Sequence, residues 1–381
     1  MTRRVAVVGG GFAGCCCALA LAEQGADVVI YERESQLLSR AAIANEGKLH
    51  LGFVYAGDRS LATARTMLSG AFSFVPILTR LLGCAPPLNV SDPFFYLVHR
   101  DSQVRVDEFA RHLATVMSLM ESQQGYPAEL FAPEPVRCAN VDPAEVIGQF
   151  RTPEVAVDPL TIASALAERV ADEPRITVRL NTSVTGIGDN PPCVVSADSA
   201  ATYDAVVNGS WESRIALDAT AGQVPPRQWF HRFKYGLRMP SARSVPSTTI
   251  VLGPFGDTVR YSDGSLYASW YPAGMVETSL DLMPAYRATS PPEAEAAQIS
   301  AESLEGLAGI VPGVAHLSGP STVRGGVIVA YAKTDIDDPG SGLHARCDIG
   351  ASRQGGIVSL EPGKYTTSPM FALEAARLAM A

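Results

Sequence analysis

The residues best suited to chemistry fall first in the stretch Gly9-x-Gly11-x-x-Gly14 and at Glu32. Gly9 permits a tight turn out of a strand, Gly11 lets backbone amides approach a pyrophosphate, and Gly14 lets the next helix pack close to a sheet. The N-terminus of that helix carries unpaired N–H groups and partial positive charge, which suit a diphosphate. Glu32 stands where an acid accepts the hydroxyls of an adenosine ribose. A second candidate is the run 45–52, Asn-Glu-Gly-Lys-Leu-His-Leu-Gly, which holds Lys48 and His50. It has neither strand nor helix periodicity, and loops of this kind concentrate functional groups.

The elements that must position these residues are legible. A buried strand over 5–8 leads into the glycine turn, a helix spans 15–23, Gly25 stops it, and a second strand over 27–31 ends at Glu32. Strand, turn, helix, strand and acid in that order point to dinucleotide binding, against a glycine-rich loop of no consequence. Apolar residues at helical period predict helices over 58–82, with Pro76 kinking or dividing the first, and over 107–123. Asp158 reads as an N-cap with Pro159 in the first turn, and Leu160, Ala163, Leu166 and Val170 share a face. Strands are expected at 94–98, 176–180, 183–187 and from 205 into the turn Gly209-Ser210-Trp211. From 232 to 282 the pattern becomes antiparallel β, with Asp263-Gly264 as a hairpin signal. A helix over 293–307, a strand over 327–330 and a closing helix carrying Phe371, Leu373, Ala376 and Leu378 complete the chain. The expected class is α/β, with two interleaved domains.

At 381 residues, 47% hydrophobic and 18% charged, the chain exceeds one ordinary core and has the composition of a globular enzyme. A net charge of −9 argues against nucleic acid, which needs a basic surface. It leaves room for a small anionic substrate held by a local arginine cluster. Thr2-Arg3-Arg4 before an apolar run imitates a secretory signal, but the glycine fingerprint accounts for that run. No apolar run reaches the length of a membrane span, and the expected location is cytoplasmic. The seven cysteines are odd in number and lack a C-x-x-C pair, so neither a disulfide framework nor a metal site is expected. Cys15, Cys16 and Cys17 read as small buried helix residues.

These residues resemble the FAD-dependent D-amino-acid-oxidase-like superfamily, which includes glycine and sarcosine oxidases, L-2-hydroxyglutarate oxidoreductases and FAD-linked glycerol-3-phosphate dehydrogenases. Three places carry the resemblance: the glycine fingerprint with Glu32-Arg33, the run 45–52, and Gly355-Gly356-Ile357 through Gly363-Lys364-Tyr365-Thr366-Thr367. The second is similar to the family's loop over the flavin. The third is similar to the closing G-K-x-T-T turn of the glycerol-3-phosphate dehydrogenases.

The resemblance implies FAD as cofactor. It implies a GR2-type Rossmann-like FAD-binding domain from residues 1–80, 150–215 and 325–381, and an antiparallel-sheet substrate domain from 81–149 and 216–324. Cofactor contacts are implied for Gly9, Gly11, Phe12, Ala13, Gly14, Glu32, Arg33 and Arg40 at the amino-terminal end. Asn45, Lys48 and Leu49 follow from the loop, and Val184, Gly209 and Trp211 from the middle of the chain. Gly355, Gly356, Ile357, Lys364, Tyr365 and Thr366 follow from its close. Over 232–286 no subfamily signature is recognisable, so the substrate stays open.

Redox chemistry in such a protein belongs to the flavin, while the chain orients substrate and tunes charge. The turn Pro362-Gly363-Lys364 can meet negative charge on the reduced ring with N–H groups and an ammonium; Lys364 can also be a solvated lysine at a helix start. His50 can take a proton from a substrate hydroxyl, hydrogen-bond the flavin, carry it covalently, or be structural. Cys347 is a remote second candidate for a covalent link. An anionic substrate group calls for a bidentate arginine, for which Arg324 and Arg346 are the candidates, Arg324 ranked first; each can equally be an ion-pair residue of the fold. Arg260, Tyr261 and Tyr271 can line the roof or belong to the core.

The leading expectation is an FAD-dependent oxidoreductase that takes hydride from a C–H bearing an amine or hydroxyl beside an anionic group. Its electrons pass to oxygen or another acceptor. A flavin-dependent monooxygenase shares the fingerprint but needs a nicotinamide reductant, and no second glycine fingerprint is present. A catalytically idle flavin-binding subunit is the remaining alternative, disfavoured by His50 and Lys364 occurring together.

Overall fold

The computed structural model describes residues 2–123, 139–241, 245–338, 340–346 and 348–381. Cys138 and Cys347 lie outside the described residues. In chain order the elements begin β1 (Arg4–Val8), α1 (Phe12–Glu23), β2 (Asp27–Tyr31), α2 (Ala62–Leu82), β3 (Phe95–His99), α3 (Val106–Ser122) and β4 (Val146–Arg151). They continue α4 (Pro159–Ala171), β5 (Ile176–Arg179), β6 (Val184–Asp189), β7 (Pro192–Ser196), β8 (Ala200–Thr202), β9 (Ala205–Asn208) and α5 (Arg214–Thr220). Next come β10 (Phe230–Met239), β11 (Thr248–Ile250), β12 (Gly256–Arg260), β13 (Leu266–Trp270), α6 (Tyr271–Gly274) and β14 (Met275–Ser279). The chain closes with α7 (Glu293–Ala308), β15 (Thr322–Ala330), β16 (Gly350–Gln354), β17 (Ile357–Glu361) and α8 (Ser368–Met380).

Six strands form one sheet in the order β16-β17-β9-β1-β2-β5. β17, β9, β1, β2 and β5 run parallel and only β16 is antiparallel. The apolar runs at 5–8, 28–31 and 205–208 are covered on both faces, by α1 and α8 on one side and by β6, β7 and α5 on the other. The second sheet follows β14-β10-β13-β12-β11-β3-β4, with β15 also paired to β10, and β6, β7 and β8 form a small third sheet. These are the parallel and antiparallel sheets that the α/β expectation called for.

The chain's two ends meet on one face of the first sheet. α1 packs against α8, and both helices bury small residues: Cys15, Cys16, Cys17 and Ala18 in α1, and Ala372, Ala375, Ala376 and Ala379 in α8. Small side chains let the two backbones approach closely. Of the apolar residues that mark the closing helix, Ala376 is fully buried, while Phe371, Leu373 and Leu378 are half-buried and pack at the edge of the core. In α4 the buried stripe is Ile162, Leu166 and Val170, spaced one turn apart, while Leu160 is 40% exposed. Asp158 does cap this helix, its Oδ1 accepting the Leu160 N–H at 3.0 Å.

α2 starts at Ala62, not at Asp58; the Asp58 carboxylate accepts the Thr63 N–H at 2.9 Å, and Pro76 lies inside one continuous helix. β15 pairs with β10 along its whole length, from Thr322↔Arg238 to Ala330↔Phe230. A domain boundary at 325 therefore cuts a strand, and 325–330 belong with the second sheet. Among the described residues no helix is long and apolar enough to cross a membrane.

Candidate active site

A cavity of about 570 Å³ lies where the two large sheets meet. Its lining includes Gly9 and Glu32 and also Gly209, Pro362, Gly363 and Lys364, the residues that directly follow β1, β2, β9 and β17. In an open parallel sheet, ligands bind outside the carboxyl ends of the strands, where loops leave a crevice. Gly9 has φ +100°, and a Cβ there would stand 2.7 Å from the Gly209 carbonyl oxygen. A Cβ on Gly14 would stand 1.9 Å from the Gly9 oxygen, so close helix–sheet packing requires glycine. A Cβ on Gly11 would meet nothing within 4 Å. Gly11 therefore faces open cavity at the start of α1, a cradle that suits a diphosphate.

The carboxylate of Glu32 accepts the Gly10 N–H at 2.7 Å and the Glu34 N–H at 2.9 Å. Two of its acceptor positions tie down the turn, and a carboxylate retains capacity for a ribose hydroxyl. Phe12, Ala13, Arg33, Arg40, Asn45, Val184 and Trp211 all line the cavity. Arg33 and Arg40 share the carboxylate of Glu212 and also pair with Glu34. The ring of Tyr286 covers both guanidinium groups, at 5.3 and 4.7 Å. Asn45 folds its loop by donating to the Ala41 and Ala42 carbonyls and accepting from the Gly47 N–H. The Tyr365 ring stacks on Phe12 at 4.4 Å and also lines the cavity.

The opposite end of the cavity is polar and cationic. Lys48, His50, Tyr55, Arg232, Lys234, His344, Arg346 and Lys364 line it. Lys48 donates to Asp257 at 2.8 Å and to Thr249 at 2.5 Å. Burial alone would lower the Lys48 pKa, but the Asp257, Glu46 and Glu154 carboxylates more than offset it and the pKa rises. Arg232 pairs with Asp335 at 3.1 Å. Lys234 donates to the Ser269 hydroxyl at 3.1 Å and sits over the Tyr271 ring. Arg346 is buried and spends one nitrogen on the Val329 and Gly363 carbonyls. Burial, then the charge of Arg346, pushes the Lys364 ammonium down to about 7.

His50 sits among these cations, its pKa held well below the ordinary value by burial and then by Lys364, Lys48 and Arg346. The imidazole is therefore neutral near pH 7. Burial and Arg346 push His344 down to about 4. Behind His50 lies Glu154, wholly buried. Its carboxylate accepts from the Tyr96 hydroxyl and from the Leu51 N–H at 2.6 Å. Burial raises its pKa to about 7, with Lys48 opposing.

Several expected site residues stand elsewhere. Arg324 is exposed on β15 and outside the cavity lining, because the strand's alternation turns it to solvent. Gly355, Gly356 and Ile357 are also outside it. They form the turn at the amino-terminal end of β17, beside Asp189 and Pro192, whereas the carboxyl end of that strand reaches the cavity. Leu49 points into the core, its N–H donating to the Val155 carbonyl at 2.9 Å. Gly14 acts through helix packing, and Thr366 holds the loop from behind. Lys364 precedes α8 by a full turn rather than opening it.

Sequence reasoning missed Glu154, Arg232, Lys234, Tyr55 and Tyr286. Two signals were available. Arg232 and Lys234 alternate with Phe233 and Tyr235, which on a strand places both cations on one face. Glu154 opens the otherwise apolar run Glu154-Val155-Ala156-Val157, and a lone acid in a buried run calls for partners.

Fold and site together define a flavoprotein oxidoreductase. Residues 4–267 match the family described as FAD dependent oxidoreductase, and the chain belongs to that family, with FAD as its cofactor. Glycine oxidase from Geobacillus kaustophilus superposes with a TM-score of 0.71 at 17% identity, over 100% of this chain and 95% of that one. L-α-glycerophosphate oxidase from Mycoplasma pneumoniae, with FAD bound, gives a TM-score of 0.67 at 17% identity, over 100% and 95%. L-amino acid deaminase from Proteus myxofaciens gives 0.66 at 14% identity, over 100% and 90%. At such identities the likeness is one of fold. A search of the curated proteins finds no match.

Proposed function

We propose that this chain oxidises a small anionic substrate at a C–H bond bearing an amine or hydroxyl, passing electrons to oxygen or another acceptor. The observation that carries the reading is the cation surplus at the polar end of the cavity. Among the described residues Lys234, Arg346 and Lys364 form no ion pair, while Lys48 and Arg232 do. Burial depresses the pKa of Arg346 and Lys364, whereas Tyr271, Tyr267 and, at longer range, Asp257 and Glu46 keep Lys234 charged. Buried cations without a counter-ion are costly, and an anionic ligand relieves that cost.

FAD bound in the cavity supplies a two-electron acceptor, the chemistry no side chain can provide. The chain's residues divide the remaining work. Gly9, Gly11 and the start of α1 hold the diphosphate, and Glu32 the ribose. Lys364 and the N–H groups of its turn meet negative charge at the redox end. Arg346 and Lys234 hold the substrate's anionic group. Neutral His50 accepts a hydroxyl proton, which an alcohol must lose to become a carbonyl; a neutral amine has no such need. A cytoplasmic location belongs to the same proposal.

The test pairs charged and neutral substrates. A 2-hydroxy acid or amino acid that reduces the flavin should lose about 100-fold in apparent second-order rate constant as its amide, the worth of one or two charge-assisted hydrogen bonds. Equal reactivity of acid and amide would remove the anionic-substrate reading.

A further inference from the structure

The His50 ring lines the cavity, yet its Nδ1 is sealed from solvent and has no hydrogen-bond partner. A carboxylate oxygen, Glu154 Oε1, stands 3.8 Å from that nitrogen. Glu154 is itself fixed on two sides. The Tyr96 hydroxyl on β3 donates to Oε1, and the Leu51 N–H, one residue after His50, donates to Oε2. Carboxylate, imidazole and cavity thus lie in series. A neutral imidazole has one N–H and one lone pair, and the hydrogen bond at one nitrogen decides which is which.

We infer that Glu154 is a positioning residue that holds His50 as the Nδ1–H tautomer, with the Nε2 lone pair presented to the substrate. Hydrogen bonds at active sites are often long in the unliganded protein and tighten when substrate binds, so a separation of 3.8 Å is short enough to close. The step served is a proton transfer. The substrate O–H bond breaks, an Nε2–H bond forms, and the imidazolium's positive charge is met by the Glu154 carboxylate. The charged and titratable groups around the pair are Tyr96, Lys48 and Asp257 beside Glu154, and Tyr55, Lys364 and Arg346 beside His50. All three cations disfavour an imidazolium, and Glu154 is the anion placed to counter them. Burial pushes Glu154 up to about 7; as pH rises through that value it becomes the carboxylate that supports proton uptake at His50. This role rests on the proposed oxidation of a hydroxyl-bearing substrate.

The test is nitrogen NMR on FAD-loaded, 15N-histidine-labelled protein, with the His50 signals assigned by their loss in His50→Asn. The Nδ1–H tautomer is expected in the wild type and should be lost in Glu154→Ala. In Glu154→Gln the amide oxygen must stay on the Leu51 N–H, so the amide NH2 faces His50 Nδ1 and the tautomer should switch to Nε2–H. An Nε2–H tautomer in the wild type would overturn the inference. So would a tautomer unchanged in Glu154→Ala. A merely structural glutamate would lower stability without moving the tautomer. In parallel, Glu154→Gln should slow flavin reduction by a 2-hydroxy acid about 10-fold and erase its rise with pH near neutrality; a wild-type rate and pH profile would also count against it. If no hydroxyl compound reduces the wild-type flavin, the proposed alcohol chemistry fails, while the NMR result still decides the role of Glu154.

Discussion

The backbone N–H of His50 donates to Oγ1 of Thr366 at 2.9 Å, and that hydroxyl donates in turn to the Lys48 carbonyl at 2.9 Å. Two segments from opposite ends of the chain, the loop 45–52 and the closing turn, are thereby one unit. Thr366 is completely buried and does not reach the cavity. Its part is to set the height of His50 relative to Lys364.

Thr366→Val keeps the shape and removes both bonds, leaving a buried N–H and a buried carbonyl unpaired. Stability should fall by about 1–3 kcal/mol, read from denaturant unfolding of the FAD-loaded protein. Reduction by substrate should slow further than FAD binding weakens, because the loop carrying His50 is what moves.

The glycine turn offers a pair of substitutions with opposite outcomes. Gly11→Val places its side chain in open cavity, so the protein should fold with an unchanged circular dichroism spectrum but bind FAD about 100-fold more weakly. Gly14→Ala drives a methyl into the Gly9 carbonyl and should lower stability by about 1–3 kcal/mol, as overpacking does. FAD titration and thermal melting separate the two.

Lys364 sets a pH dependence with a definite sign. Burial and Arg346 depress its pKa to about 7, so the ammonium is charged below neutrality and neutral above. Binding of an unreactive anionic substrate analogue should therefore weaken as pH rises from about 6 to about 8, by about 10-fold. In Lys364→Met the same titration should be shallower, because Arg346 and Lys234 still hold the anion and, of the groups around them, only Glu154 titrates in that range. Spectral perturbation of the flavin gives the dissociation constants.

Arg346 and Arg324 make a second contrast. Arg324→Ala changes an exposed strand residue and should leave activity within about 2-fold. Arg346→Met removes a buried cation and strands the Val329 and Gly363 carbonyls. It should cost about 10- to 150-fold in kcat/KM, equivalent to about 1.5–3 kcal/mol.

The amino-terminal unit was readable because glycine spacing, a four-residue buried strand and Glu32 each answer to a local rule of backbone geometry. The closing turn was readable as a motif, but its direction was not. Gly355 and Lys364 are near neighbours in sequence and lie at opposite ends of β17, and only the strand's parallel pairing with β9 decides which end faces the cavity. Arg324 was misplaced for a related reason: strand alternation turned it outward. Glu154 and the Arg232–Lys234 face depend on contacts between the two sheets, which no single stretch of sequence carries.

The most direct measurement is an anaerobic titration of the purified, FAD-loaded protein with 2-hydroxy acids, amino acids, N-methyl amino acids and polyol phosphates. The expected result is bleaching of the yellow flavin band by at least one anionic member of that panel with no nicotinamide present. Reduction only by NADH or NADPH, or by nothing in the panel, would contradict a chain whose cavity takes hydride directly from its substrate.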